Sequence, residues 1–419
     1  MGNVAPYKKG YIILTFIEIY MMQLILMAGR YARHQGVLNH PEIMYLSYLM
    51  TTQSVVIEQS EIISPLGNLS ESVADLIDGT GAVLPGPYFN VDAPCAPFLN
   101  KECRSILFAA NKLKESLDLR DVDPASTVFL FCAAKGDLSP LENQFFPDNA
   151  NTSLGLPLLE DQARRIQALL APGCRRTIVV SSACASGAIA IEIAKDLLES
   201  GAFKNALLFG FDVLSRFVVS GFASLGALSR GGARPFDVAR DGLSLGEGAC
   251  AALLTKRKVF EGDVVVAGAA SAGDANHRTG PSRTGDGLFR ASQAALIDAG
   301  VSALDIGGVK CHGTGTLYND AMEAKALAAL FHGSIPPCCS VKGAIGHISG
   351  AGSLLETLIA AQFLTRHVLA PTAGFSTLGV DEKIPISAEP QAFEGNALLC
   401  LSAGFGGINS ATVLKEIMP

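Results

Sequence analysis

The chain has 419 residues, 49% of them hydrophobic and 17% charged, a balance that gives a folded globular protein with a large core and excludes a disordered one. A formal net charge of −7 and a pI near 5.6 argue against nucleic-acid binding, so any acidic partner must meet a local basic patch. Ten cysteines without a C-x-x-C pair or a Cys/His rhythm point to reduced thiols inside the cell, with no structural disulfide and no zinc.

Residues 1 to 53 stand apart as an extension. Within it, residues 11 to 28 are strongly apolar and follow Lys8-Lys9. Three readings compete: a packed or peripheral helix, a translated segment upstream of a start at Met50, and a membrane anchor, the last weakened by Glu18 and Gln23.

From residue 54 strands and helices alternate. Residues 54 to 63 predict a strand, 64 to 68 a turn, and a helix follows with Ser70 as its cap. Residues 80 to 100 are rich in Pro and Gly and read as irregular, 101 to 117 return to helical spacing, and Thr127 to Ala133 is a continuous apolar run that predicts a buried strand. A polar loop to about 155, a helix over 157 to 170 and a strand over 176 to 182 come next. The block Arg234 to Gly248 is dense in turn and charge signals, and its role reads as structural. Strands at 249 to 255, 263 to 270, 308 to 311, 337 to 341, 397 to 403 and 409 to 415, with helices at 288 to 299, 319 to 331 and 348 to 364, complete an α/β alternation with a sheet covered on both faces. The strand, small-residue turn and helix around residue 180 has a counterpart at 337 to 364, which divides the chain into two similar halves, 54 to 271 and 272 to 419.

Chemistry concentrates in the turns. Strand 178 to 182 runs through Ser-Ser-Ala into Cys184, and Ile189, Ile193 and Leu197 then recur at helical spacing, so 185 to 199 form a helix that starts at the sulfur. A thiol there is biased towards thiolate by the helix dipole. A lone cysteine in such a turn is as readily a small core residue, and each histidine in a Gly-rich turn is as readily structural. Together they are harder to read that way: Cys184 is joined by His312-Gly-Thr314-Gly-Thr316, by Lys342 five residues before His347, and by Gly404-Phe405-Gly-Gly-Ile-Asn409.

This ordered set resembles the β-ketoacyl-acyl-carrier-protein synthases of the thiolase-like condensing enzymes, and most of all the elongating ketosynthases, over roughly residues 54 to 417. Asp320 and Glu323 after the first histidine motif match the same pattern, and a second histidine at 347 favours elongation, because the initiating enzymes usually pair Cys with His and Asn. The segment from Pro65 to Cys184 is shorter than the elongating enzymes usually show, which implies trimmed loops.

The resemblance implies a thiolase-like duplicated α-β-α-β-α layered fold, each half with a mixed sheet, and a decarboxylative Claisen condensation. Cys184 would take the acyl group, the N–H groups of Cys184 and Phe405 would hold the oxyanion, and Phe405 would act as the gate. His312 and His347 would stabilise the enolate of malonyl-acyl carrier protein, and Lys342 would orient them. Thr314, Thr316 and Phe222 would contact the substrate, with Lys101 and Arg104 docking the carrier. The enzyme would need no cofactor or metal of its own, since the 4'-phosphopantetheine arm arrives on the acyl carrier protein. It would be a cytoplasmic homodimer, or a heterodimer with a second ketosynthase-like chain, and would serve fatty acid, polyketide or polyene synthesis. The alternatives are a chain-length-factor-like partner without elongating activity and a membrane-associated scaffold.

Overall fold

The computed structural model describes residues 53–139, 141–142, 158–274 and 276–418. The apolar stretch 11 to 28 and most of the polar loop before 155 lie outside the described residues. Gln53–Pro419 forms one compact unit.

Its strands show an internal repeat. The first five are β1 (Gln53–Ile63), β2 (Thr127–Cys132), β3 (Arg176–Val180), β4 (Asn205–Asp212) and β5 (Gly248–Lys258), and they lie in the order β3-β2-β4-β5-β1. Strand β2 is parallel to β3 and β4, whereas β5 is antiparallel to β4 and β1. The next five are β6 (Val264–Gly273), β7 (Gly308–Lys310), β8 (Cys338–Cys339), β9 (Ala397–Gly404) and β10 (Ile408–Glu416). They lie in the order β8-β7-β9-β10-β6 and repeat both the succession and the senses of the first five. One pair, Val56 with Val265, joins the two sets into a ten-stranded sheet. The second set opens at Val264, so the sequence division at 271/272 falls near the end of strand β6 rather than ahead of it.

Residue alternation makes the layers. In β2, Val128, Leu130 and Cys132 face a central core, while Phe129 and Phe131 face an outer one. The central core is filled by α4 (Ser186–Glu199) and α9 (Ser349–Arg366), with α1 (Leu69–Ile77) beside them. On the outside of the first half lie α2 (Ile106–Ser116) and α3 (Leu159–Leu170). Their counterparts on the second half are α6 (Asp286–Ala299) and α7 (Leu317–Leu330). Helix α9 is buried almost all round, as its continuous small and apolar sequence requires of a helix between two sheets. Gly187 allows α4 and α9 to touch there: a Cβ on it would run into the backbone of Leu354.

Two elements escape the reading along the chain: β4, and α5 (Arg216–Ser224) after it. The run Ala206 to Phe211 is short, continuous and apolar, the pattern of a strand buried on both faces. Helix α1 is capped by Asn68 instead of Ser70: Asn68 Oδ1 accepts from Glu71 N at 2.9 Å and Glu71 Oε2 accepts from Asn68 N at 2.9 Å, a reciprocal capping box. Residues Lys101–Arg104 form a separate 3-10 turn, and Ser105 caps α2.

Candidate active site

Equivalent turns of the two halves meet. In the first half β3 leads into α4, and in the second β8 leads, through the short helix α8 (Lys342–Ile345), into α9. Each passage contains a non-glycine residue in the left-handed region, Ala183 with φ 49° before Cys184 and Ser349 with φ 41° after His347. The two helix starts are tied by Ser353 Oγ, which accepts from Ala188 N at 3.1 Å. Both therefore open on one cavity of about 420 Å³, lined by Cys184, His312, His347, Thr314, Thr316, Phe222, Phe405 and Asn409 among others.

Cys184 is buried, and the Phe405 N–H is placed to favour a thiolate there. Burial pushes the thiol up to about 11, with Lys342 and that N–H opposing it and Asp212 adding to it. Removal from water thus works against the thiolate bias expected of a helix start. The turn between β9 and β10 packs against this main chain so closely that a Cβ on Gly404 would lie 3.2 Å from Cys184 N. Phe405 stacks on Phe222 of α5, ring centroids 5.6 Å apart, and closes one side of the cavity.

His312 and His347 stand edge to face, with centroids 5.4 Å apart. Both are buried, and neither Nδ1 has a hydrogen-bond partner among the described residues. Burial, then Lys342, pulls His347 down to about 3, and the same two causes hold His312 well below its ordinary range. Both rings are neutral at physiological pH. The His312 turn is shaped by acids from α7: Glu323 accepts from His312 N at 2.6 Å and Gly313 N at 2.8 Å, and Asp320 accepts from Thr314 N at 3.1 Å. His347 is held from the approach to β5, where Ser244 O accepts its N–H at 2.7 Å and Gly246 leaves room for the carbonyl of Ile345. Lys342 Nζ donates to His312 O at 2.7 Å and lies 2.7 Å from Glu356 Oε1.

Thr314 and Thr316 hydrogen-bond to each other at 2.9 Å on the cavity wall. Lys101 and Arg104 lie elsewhere, on a second hollow of about 370 Å³ with Tyr88, Phe89 and Phe98. Lys101 is exposed, but Arg104 turns inward to Glu247 at 2.9 Å, a carboxylate that also accepts from Phe98 N and Leu214 N. The two cations therefore share one hollow but differ in freedom, because a buried carboxylate holds the Arg104 guanidinium.

A family model described as the N-terminal domain of β-ketoacyl synthase matches residues 176–259, and one described as the C-terminal domain matches 264–376. The chain belongs to the β-ketoacyl synthase family. The two matches meet where the strand repeat changes from β5 to β6. The 3-oxoacyl-[acyl-carrier-protein] synthase 2 of Rhizobium meliloti (strain 1021) is 29% identical over 86% of this chain and 98% of its own length. A putative polyketide beta-ketoacyl synthase 1 of Streptomyces cyaneus is 31% identical over 56% of this chain and 59% of its own. The solved ketosynthase of Xenorhabdus doucetiae, in complex with its chain length factor, superposes with a TM-score of 0.78 at 24% identity, covering 91% of this chain and all of that one.

The family motifs leave two site residues unread. Glu356 is a lone acid in an apolar helix, and Lys310 a lone cation in a buried strand. Each is a signal in itself, because a charge without a partner is rarely tolerated in a core.

Proposed function

We propose that this chain is an acyltransferase that condenses an acyl group held on Cys184 with malonyl-acyl carrier protein, giving 3-oxoacyl-acyl carrier protein and carbon dioxide. The observation that carries this reading is the convergence of Cys184, His312 and His347, each from a different turn, on one cavity. Cys184 sulfur adds to the acyl thioester, the N–H groups of Cys184 and Phe405 hold the oxyanion, and the carrier thiol leaves with the Cys184 proton. The malonyl C–CO2 bond then breaks, and its electron pair becomes an enolate whose oxygen accepts hydrogen bonds from neutral His312 and His347. The enolate carbon attacks the acyl-Cys184 carbonyl. Collapse of that adduct breaks the C–S bond and returns the thiolate, which takes a proton from water.

The thiol must be deprotonated as it attacks, since burial keeps it neutral beforehand. Lys342 orients His312 through its carbonyl, Thr314 and Thr316 receive the 4'-phosphopantetheine arm, and Phe405 moves off Phe222 to admit the second substrate. Among the described residues no cluster of three or more His, Cys, Asp or Glu could hold a metal, and the reaction as written uses no cofactor of its own. Strand β3 ends the sheet with a half-buried edge, a surface suited to a second copy or to a ketosynthase-like partner. Among the described residues no helix is long and apolar enough to cross a membrane, and ten free thiols suit the cytoplasm. The presence of Cys184 weighs against a silent chain-length-factor role.

The test is mass spectrometry after incubation with a panel of acyl-carrier thioesters, followed by labelled malonyl-carrier. The expected result is an acyl adduct on Cys184 that is consumed when malonyl-carrier is added. An adduct on another residue, or none with any thioester, removes the assignment.

A further inference from the structure

Lys310 is the last residue of β7, and His312 follows it by two residues. The Lys310 side chain is fully buried, and its Nζ sits 2.8 Å from Glu356 Oε2 and 3.0 Å from Leu401 O of β9. Lys342 Nζ reaches the same carboxylate from α8. Two buried ammonium groups thus share one buried carboxylate, and a single pair would have been neutral at lower desolvation cost. We propose that Lys310 is a positioning residue for the two histidines: it clamps Glu356 to the closing strand, so fixing Lys342 beneath His312, and it adds a second cation to the charges behind the rings.

The inference rests on the condensation reading of the site. That reaction passes through an enolate, and a fixed cation in a site of low dielectric stabilises negative charge as it develops. It also opposes a proton on either imidazole, and a protonated ring would change the charge seen by the incoming malonyl group. The other charged and titratable groups around the rings are Glu323 from α7, Cys184 at the start of α4, Cys400 from β9, and Lys135 after β2. Lys135 is already paired with Asp212 at 2.8 Å. Burial pushes Glu323 up to about 7, against the N–H groups of Gly313 and His312 that it accepts from. Burial works against both ammonium groups: Glu356 outweighs it at Lys310, whereas Lys342 is held below its ordinary value by burial and by Lys310 beside it. The clamp also has reach: Leu401 lies in the strand that leads into Phe405, so one side chain links the histidine base to the strand ahead of the proposed gate.

The decisive comparison is between wild type, Lys310→Met and Lys310→Arg. Lys310→Met should release carbon dioxide from malonyl-carrier at least about tenfold more slowly in kcat, with KM within about twofold. Acylation of Cys184 should stay within about twofold, and Lys310→Arg should recover most of the loss. A second readout needs no turnover: nitrogen NMR of labelled histidine should show an active-site ring taking up its proton about one pH unit higher in Lys310→Met. If Lys310→Met does not fold, Lys310→Gln, which can still donate to Leu401 O but carries no charge, gives the same readouts. A folded neutral variant that matches wild type in carbon dioxide release and ring titration overturns the proposal. So does one that loses acylation and decarboxylation equally with its ring titration unchanged, which would make Lys310 a scaffold residue only. If the wild type itself releases no carbon dioxide from malonyl-carrier, the condensation reading fails, and the ring titration alone decides for or against Lys310.

Discussion

The two halves share one strand order and one passage from strand into helix, yet they prepare opposite environments at those passages. The first half brings one charge to bear on Cys184, Asp212, and pairs it with Lys135 at 2.8 Å, whereas Lys342 acts on the sulfur from the second half. The second half puts Lys310, Lys342, Glu356 and Glu323 directly behind its histidines. The difference follows from the task of each side. A nucleophile that must stay unreactive until a thioester enters gains from a neutral cradle, whereas two rings that must stay neutral and face a developing anion gain from fixed charge. Duplication supplied the geometry, and the side chains behind each turn supplied the division of labour.

Removing the key group from each side should break this comparison most sharply. Cys184→Ala should abolish condensation, a loss on the order of 10⁴-fold or more, while labelled malonyl-carrier still loses carbon dioxide because the histidines remain. Condensation at the wild-type rate in that variant would dismiss the nucleophile. His312→Ala and His347→Ala should do the reverse, leaving Cys184 acylation measurable while decarboxylation falls by about 10² to 10⁴-fold each. Normal carbon dioxide release from either variant would take that histidine out of the reaction.

pH sharpens the contrast next. The rate of Cys184 alkylation by a small electrophile should climb about tenfold per pH unit from neutrality and level off only near pH 11, where burial places the thiol. A plateau near neutrality would restore the thiolate reading. For the histidines the sign runs the other way round. Their folded-state values lie below the unfolded one, so the unfolded chain binds more protons, and stability is full above about pH 6.5 and is lost as pH falls. Thermal unfolding from pH 7 to 4 should show that loss in wild type, and a shallower one in His347→Ala.

The smallest expected effect concerns the second hollow. Lys101→Glu should raise KM for the acyl-carrier substrate severalfold at low salt without changing Tm. Arg104→Glu should lower Tm as well, because it leaves buried Glu247 facing a like charge. Equal behaviour of the two variants would mean that Arg104 is as free as Lys101.

Much of this was legible along the chain, for physical reasons. Continuous apolar runs mark strands covered on both faces, and the turns carrying Cys184, His312, Lys342 and His347 announce themselves because glycine and small residues are needed where backbone passes close to backbone. The alternation of Val128 and Leu130 against Phe129 and Phe131 likewise encodes two cores in one strand. What the tertiary structure alone decided is where charges find partners and how far each group is from water. Arg104 looked like surface until Glu247, 143 residues away, claimed it. The Cys184 thiol sits at a helix start that favours thiolate, and only the fold shows how strongly burial works against it. Glu356 and Lys310 carry no motif, and only the packing of α9 against β7 and β9 brings them within 2.8 Å. Local sequence sets backbone shape and periodicity, whereas desolvation and ion pairing depend on neighbours that are distant along the chain.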